Sequence, residues 1–167
     1  MPLLRRSGPA TIDPDTNPTV LEPIRIVTDE LELELVGSVA PTGQRVTDML
    51  LRGQDLAFLP AGADPAPDAW ISVAPSDVLF VVPPPLPPRQ GWQPAADTAE
   101  VIVRIGSYRI MGAAHLAPGR PVDARLAADH PFLPLTSATV LRDGAPGPED
   151  ADVAIVNLSR AIEIRGR

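Results

Sequence analysis

The stretch Ile24 to Gly37, IRIVTDELELELVG, decides how the rest of the chain is read. Within it Leu31, Leu33 and Leu35 alternate with Glu30, Glu32 and Glu34. Period two is the mark of an extended strand with one buried face. On a helix the same leucines would scatter around the cylinder. Along a strand the three carboxylates would share one face about 7 Å apart, a spacing that suits a divalent cation. No second acidic cluster accompanies them, so the run reads as a solvated face that discourages edge-to-edge pairing.

After Gly37 the turn Ala40-Pro41-Thr42-Gly43 leads into QRVTDMLLRG. Val46, Met49 and Leu50 fall at i, i+3 and i+4, which predicts a helix of about two turns ended by Gly53. Leu56 to Pro60, Trp70 to Val73 and Val78 to Val82 read as short strands divided by Pro, Gly and Asp. The second half runs through the same order: EVIVRIGSYRIMG, a Leu116-Ala117-Pro118-Gly119 turn, RPVDARLA, a strand over Phe132 to Leu135, then strands over Val153 to Val156 and Ala161 to Ile164.

The correspondence is position by position. Gly37 matches Gly112, Ala40-Pro41 matches Ala117-Pro118, and Gly43 matches Gly119. Val46 and Leu50 match Val122 and Leu126, Phe58-Leu59-Pro60 matches Phe132-Leu133-Pro134, and Ser76 matches Ser159. An internal duplication is predicted. The main difference is a longer acidic, Gly/Pro-rich loop over Leu141 to Asp150. Glu34 aligns with Arg109, so charge complementarity between the halves is expected, with Arg104, Arg109, Glu34 and His115 as candidate contacts between the repeats or with a ligand. Reversing the charge of Arg109 would then weaken folding or assembly.

The expected fold is mainly β: two tandem, small, bent-sheet or barrel-like repeats, each with one short helix, joined by a polyproline linker. Residues 1–22 form a polar, Pro-rich tail, 23–83 the first repeat, 84–98 the linker and 99–167 the second repeat. Two such sheets could pack face to face or share one sheet across a pseudo-twofold axis. The pattern V-x-V…G…AP-G-x-x-V…L…FLPL…V-x-x-S resembles the uncharacterised bacterial domain family DUF6812, over most of 24–83 and again 100–165. That resemblance implies a compact β-rich module and no mechanism. The bent sheet with a short helix is also similar to Sm-like barrels at the level of fold.

Composition narrows the function classes. The net charge is −7, and all 14 basic residues are arginine, which argues against a nucleic-acid surface needing a basic stripe. Cysteine is absent, which removes disulfides, thiol catalysis and thiolate zinc sites. Without lysine there is no Schiff base and no P-loop. No window approaches the roughly 18 apolar residues of a membrane span, and Arg5-Arg6 lacks the apolar run of a secretion signal. A cytoplasmic protein without a cofactor is expected.

Catalytic motifs are missing as well. His115 and His130 have no acidic partner at ligand spacing, and no G-x-S-x-G occurs. Asn157-Leu158-Ser159 is similar to part of the cyclic-di-GMP-binding PilZ motif, but Ile162 stands at its glycine position. The arginine pairs 104/109 and 120/125 are also one residue too far apart for it. The chain reads as a non-enzymatic structural or protein-interaction module that binds a protein partner or itself, without nucleic acid or membrane. The alternative is a small-ligand sensor with a pocket between the repeats lined by Arg104, Arg109, His115 or Asn157. Pro84, Pro87 and Arg89 fit the P-x-x-P-x-R ligand of SH3-type domains. Their place between the two halves makes a semi-rigid spacer the simpler reading.

Overall fold

The computed structural model describes residues 22–29, 32, 34–39, 45–84 and 98–167. Five strands come from the first half: β1 (Glu22–Thr28), β2 (Glu34–Val39), β3 (Leu56–Pro60), β4 (Ile71–Val73) and β5 (Val78–Val82). Five more come from the second: β6 (Thr98–Ile105), β7 (Tyr108–His115), β8 (Phe132–Arg142), β9 (Glu149–Asn157) and β10 (Glu163–Gly166). Two short helices, α1 (Val46–Leu51) and α2 (Leu126–Asp129), lie between β2 and β3 and between β7 and β8. Most of the expected tail and linker fall outside the described residues. Glu22 already belongs to β1 and Thr98 to β6.

All ten strands form one antiparallel sheet in the order β10-β6-β7-β8-β9-β5-β1-β2-β3-β4. Of the two arrangements expected, sheets packed face to face or one shared sheet, the shared one is found: a continuous, open sheet runs through both halves and does not close into barrels. The halves meet where β5 pairs with β9, Phe80 opposite Val156 and Val81 opposite Ile155. Each half lays out its five strands in the same spatial order, last-first-second-third-fourth. They are therefore joined head to tail. A pseudo-twofold axis would instead have joined like edges.

The central strands explain the apolar run VLFVV. Successive side chains of a strand point to opposite faces, and here both faces are covered. Val27, Phe80, Ala154 and Val156 belong to a core shared with β6, β7 and β8. Their immediate neighbours Ile26, Val81 and Ile155 belong to a second core with Leu50, Leu56, Phe58 and Val73. A strand buried on both sides reads as a continuous apolar segment. By contrast β6 alternates, with Val101, Val103 and Ile105 buried and Arg104 exposed.

Local signals set the helices and turns. Gly53 takes a φ of +70°, and the amides of Gly53 and Gln54 donate to the carbonyls of Leu50 and Met49 at 3.1 and 2.9 Å. This double bond with a left-handed residue is the Schellman stop of α1. The second helix differs from expectation. Val122 lies outside it, and Asp123 accepts a bond from the Arg125 amide at 2.8 Å, forming a turn that delays the helix to Leu126. Leu50 and Leu126 are the buried anchors of the two helices.

Two further expectations are corrected. The LELELV run is not a single strand face: Glu32 sits in the turn between β1 and β2 with a φ of +50°, and Glu34 opens β2. Glu30 lies outside the described residues. The predicted strand over 132–135 continues to Arg142, with Ser137 at a φ of +48° where the β7–β8 register shifts between Met111 and Ala113. That bulge lets the long strand bend, so the Gly/Pro-rich excursion shrinks to a hairpin turn.

Candidate functional site: the joint and the free edges

The most elaborate side-chain chemistry lies where the halves meet. Asn157, at the end of β9, is 4% exposed. Its amide nitrogen donates to the Val78 carbonyl at 2.8 Å, and its oxygen accepts from the Ser159 amide at 3.1 Å. One side chain thus satisfies a strand of the first half and caps the 3-10 turn Leu158–Arg160 of the second. Replacing Asn157 by leucine should cost about 2 kcal/mol, because the buried Val78 carbonyl loses its partner and the 3-10 turn its cap. Chemical unfolding checks this; a loss below a few tenths would mean that neither bond matters.

At the end of the turn, Arg160 donates to the Ser76 carbonyl at 2.9 Å and pairs with Asp29 at 2.9 Å. Glu32 reaches across from the β1–β2 turn to the β6–β7 turn. It accepts from the Ser107 amide at 2.7 Å and also bonds the Ser107 hydroxyl. A side chain on Gly106 would collide with that carboxylate, its Cβ only 2.3 Å from the Glu32 oxygen. Arg25 pairs with Glu149 across the joint and with Glu34 at 3.4 Å within its own half. These acids are structural ties, and none of them gathers into a set: no group of three His, Asp or Glu able to hold a metal occurs among the described residues.

Tyr108 stands at the centre of this region. Its ring meets Phe80 edge-on at 5.0 Å, and the Arg142 guanidinium lies over it at 5.3 Å. Burial raises the phenol's pKa above the ordinary value of 10.0; the Arg142 charge opposes this, while Glu34 and Glu32 reinforce it. The sign follows directly. The folded state favours the neutral phenol, so its contribution is complete below pH 10 and is lost as pH rises through the higher folded value. Tyr108 is the chain's single tyrosine, so ultraviolet titration reads it alone. Its midpoint should lie above that of the denatured chain, and coincident midpoints would refute the assignment.

The sequence-derived site residues separate. Arg104 and Arg109 are directly opposed on β6 and β7 and both exposed. Glu34 is engaged with Arg25 rather than Arg109. His115 closes β7, its Nε2 3.4 Å from the Thr136 hydroxyl. Asn157 is buried and occupied. A surface cleft of about 350 Å³ lies instead at the β8 bulge, lined by Ser137, Ala138, Asp150, Ala151 and Asp152. Pro84 is buried, while Pro87 and Arg89 lie outside the described residues. Sequence reasoning placed Glu32 on a strand face and missed Arg160 and Tyr108; the partners of Glu32 and Arg160 lie 75 or more residues away.

Among the described residues the sheet leaves two edges open, β4 and β10. They are unlike. From Asp55 to Asp77 the only charged side chains are Asp55, Asp64, Asp68 and Asp77, so the β4 edge is rimmed by acid. The β10 edge carries Arg160, Glu163, Arg165 and Arg167, all exposed. No helix among the described residues is long and apolar enough to cross a membrane. Compared with known protein families, curated proteins and solved structures, the chain matches none.

Proposed function

We propose that the chain is a non-catalytic protein-interaction module, built from a duplicated β-rich unit whose halves are joined by the Pro-rich segment. The observation that carries this reading is the head-to-tail sheet with, among the described residues, an unpaired strand at each end. An unpaired strand offers a row of backbone donors and acceptors to another chain, and strand addition is a common mode of peptide recognition. The same spatial order of strands in each half, with the matched glycines 37 and 112 on their second strands, supports duplication. The resemblance to DUF6812 adds a β-rich module with no implied activity. Asn157, Arg160, Glu32 and Arg25 are consumed in holding the halves together, which favours a binding role over chemistry.

The test is affinity capture with the immobilised full chain beside a variant in which Asp64, Asp68 and Asp77 are changed to arginine. A partner that co-purifies should then form a complex of defined mass with the native chain and not with the variant. Equal recovery of the same proteins by both would sink the reading.

A further inference from the structure

The two free edges correspond to strands that already pair inside the molecule. Ser76 matches Ser159 in sequence, which places Phe80 on Glu163, and Val73 and Ser72 on Val156 and Ile155. The pairing registers agree: Phe80 lies opposite Val27 in the first half, and Glu163 opposite Arg104 in the second. β4 is therefore the counterpart of β9, and β10 the counterpart of β5. A second copy adding β10 to β4 would repeat the internal joint, with Glu163 opposite Val73 and Ile164 opposite Ser72.

The side chains at the two joints differ in kind. At the internal joint Phe80 and Val27 are fully buried in the core of the second half. Their counterparts Glu163 and Arg104 are exposed. Entering a core at those positions would desolvate both charges, a cost their mutual attraction does not reliably offset. Next to them Ile162, counterpart of the 3% exposed Leu79, is 68% exposed. The β10 edge thus keeps the backbone of a joining strand but carries charge where the joint needs apolar side chains. The β4 edge has no such block: Val73 belongs to the neighbouring core as Val156 does to its own.

We infer that β4 is the docking edge, taking an extended segment of a different protein, and that Arg104 and Glu163 cap the β10 edge against a second copy of this chain. The inference deepens the interaction-module reading and rests on it. The internal joint specifies the segment: a large apolar residue opposite Val73, as Phe80 stands opposite Val156. Arg160 ties the internal joint to Asp29, whereas its counterpart on the β4 side is Asp77. The partner therefore presents a cation toward Asp77, in keeping with the acidic rim.

A variant of the chain itself serves as the probe. Arg104→Val with Glu163→Phe should convert a monomer of 17.7 kDa into head-to-tail assemblies whose mass, by light scattering, rises with concentration. Self-association should tighten by about tenfold or more, the effect of exchanging a buried ion pair for apolar side chains. Because the chain has no cysteine, Ser72→Cys with Ile164→Cys reports the register: oxidation should give a disulfide ladder in the uncapped variant and little in the capped chain. If the apolar pair precipitates, Arg104→Gln with Glu163→Gln removes the charges alone and should still raise cross-linking.

A variant that stays monomeric, or assembles without the cross-link, overturns the assignment of β4. A native chain that cross-links as strongly as the uncapped one overturns the cap. Uncapped assembly alongside a failed partner capture would instead sink the interaction reading and leave the edge assignment standing.

Discussion

Alanine at Gly37 is expected to destabilise the protein by about 3 kcal/mol, at the upper end of the usual cost of overpacking. The added Cβ would lie 2.0 Å from the Leu59 carbonyl oxygen and 2.6 Å from the Phe58 ring. Neither can retreat. The carbonyl is backbone of β3, which pairs with β2 at this point, and Phe58 is 1% exposed in the core. For a chain of this size that loss is about 6–12 °C in unfolding temperature. Gly112 is the graded control. Its Cβ would meet Leu135 Cβ at 2.9 Å and the Thr136 carbonyl at 3.0 Å, tight but closer to tolerable, so alanine there should cost less. Differential scanning calorimetry orders the two. A shift below 2 °C at Gly37, or a larger one at Gly112, would contradict the packing account.

The second large effect is at the joint. Phe80→Ala should cost about 4 kcal/mol, as for other fully buried aromatics. The side chain is 0% exposed, meets Tyr108 edge-on and fills the second half's core from a strand of the first. Truncating it should therefore weaken both halves equally. Trp70 precedes β4 in the first half and Tyr108 opens β7 in the second, so with Trp92 replaced by phenylalanine in both proteins they report separately. Their unfolding curves should coincide in the native chain and move together in the variant. Two separated transitions would mean that the halves fold independently across a joint worth little.

The legible part of this molecule was local. The i, i+3, i+4 spacing of Val46, Met49 and Leu50, with Gly53 behind it, specified a helix and its stop, because those signals act within one or two turns. The strands over Leu56–Pro60 and Val78–Val82 were equally visible, since alternating or continuous apolar residues in short runs have few other uses. Glu32 shows where local reasoning failed. Its place in an alternating run suggested a strand face, but a partner at Ser107, far along the chain, stabilises it in a reversal. The strand β8 was read too short for a similar reason. Its polar residues Thr136 and Thr139 look like loop until β9 pairs with them.

Sequence by itself determined the strand-rich class, the positions of most elements and the matched order of the two halves, because propensity and periodicity depend only on near neighbours. It also determined which reactions lack their residues, as a matter of inventory. Only the tertiary structure decided that one sheet runs through both halves and that they join head to tail rather than about a twofold. Strand pairing is a choice among edges that present nearly the same backbone. What separates those edges is the side chain each would bring into a core, and that can be weighed only once the core is formed.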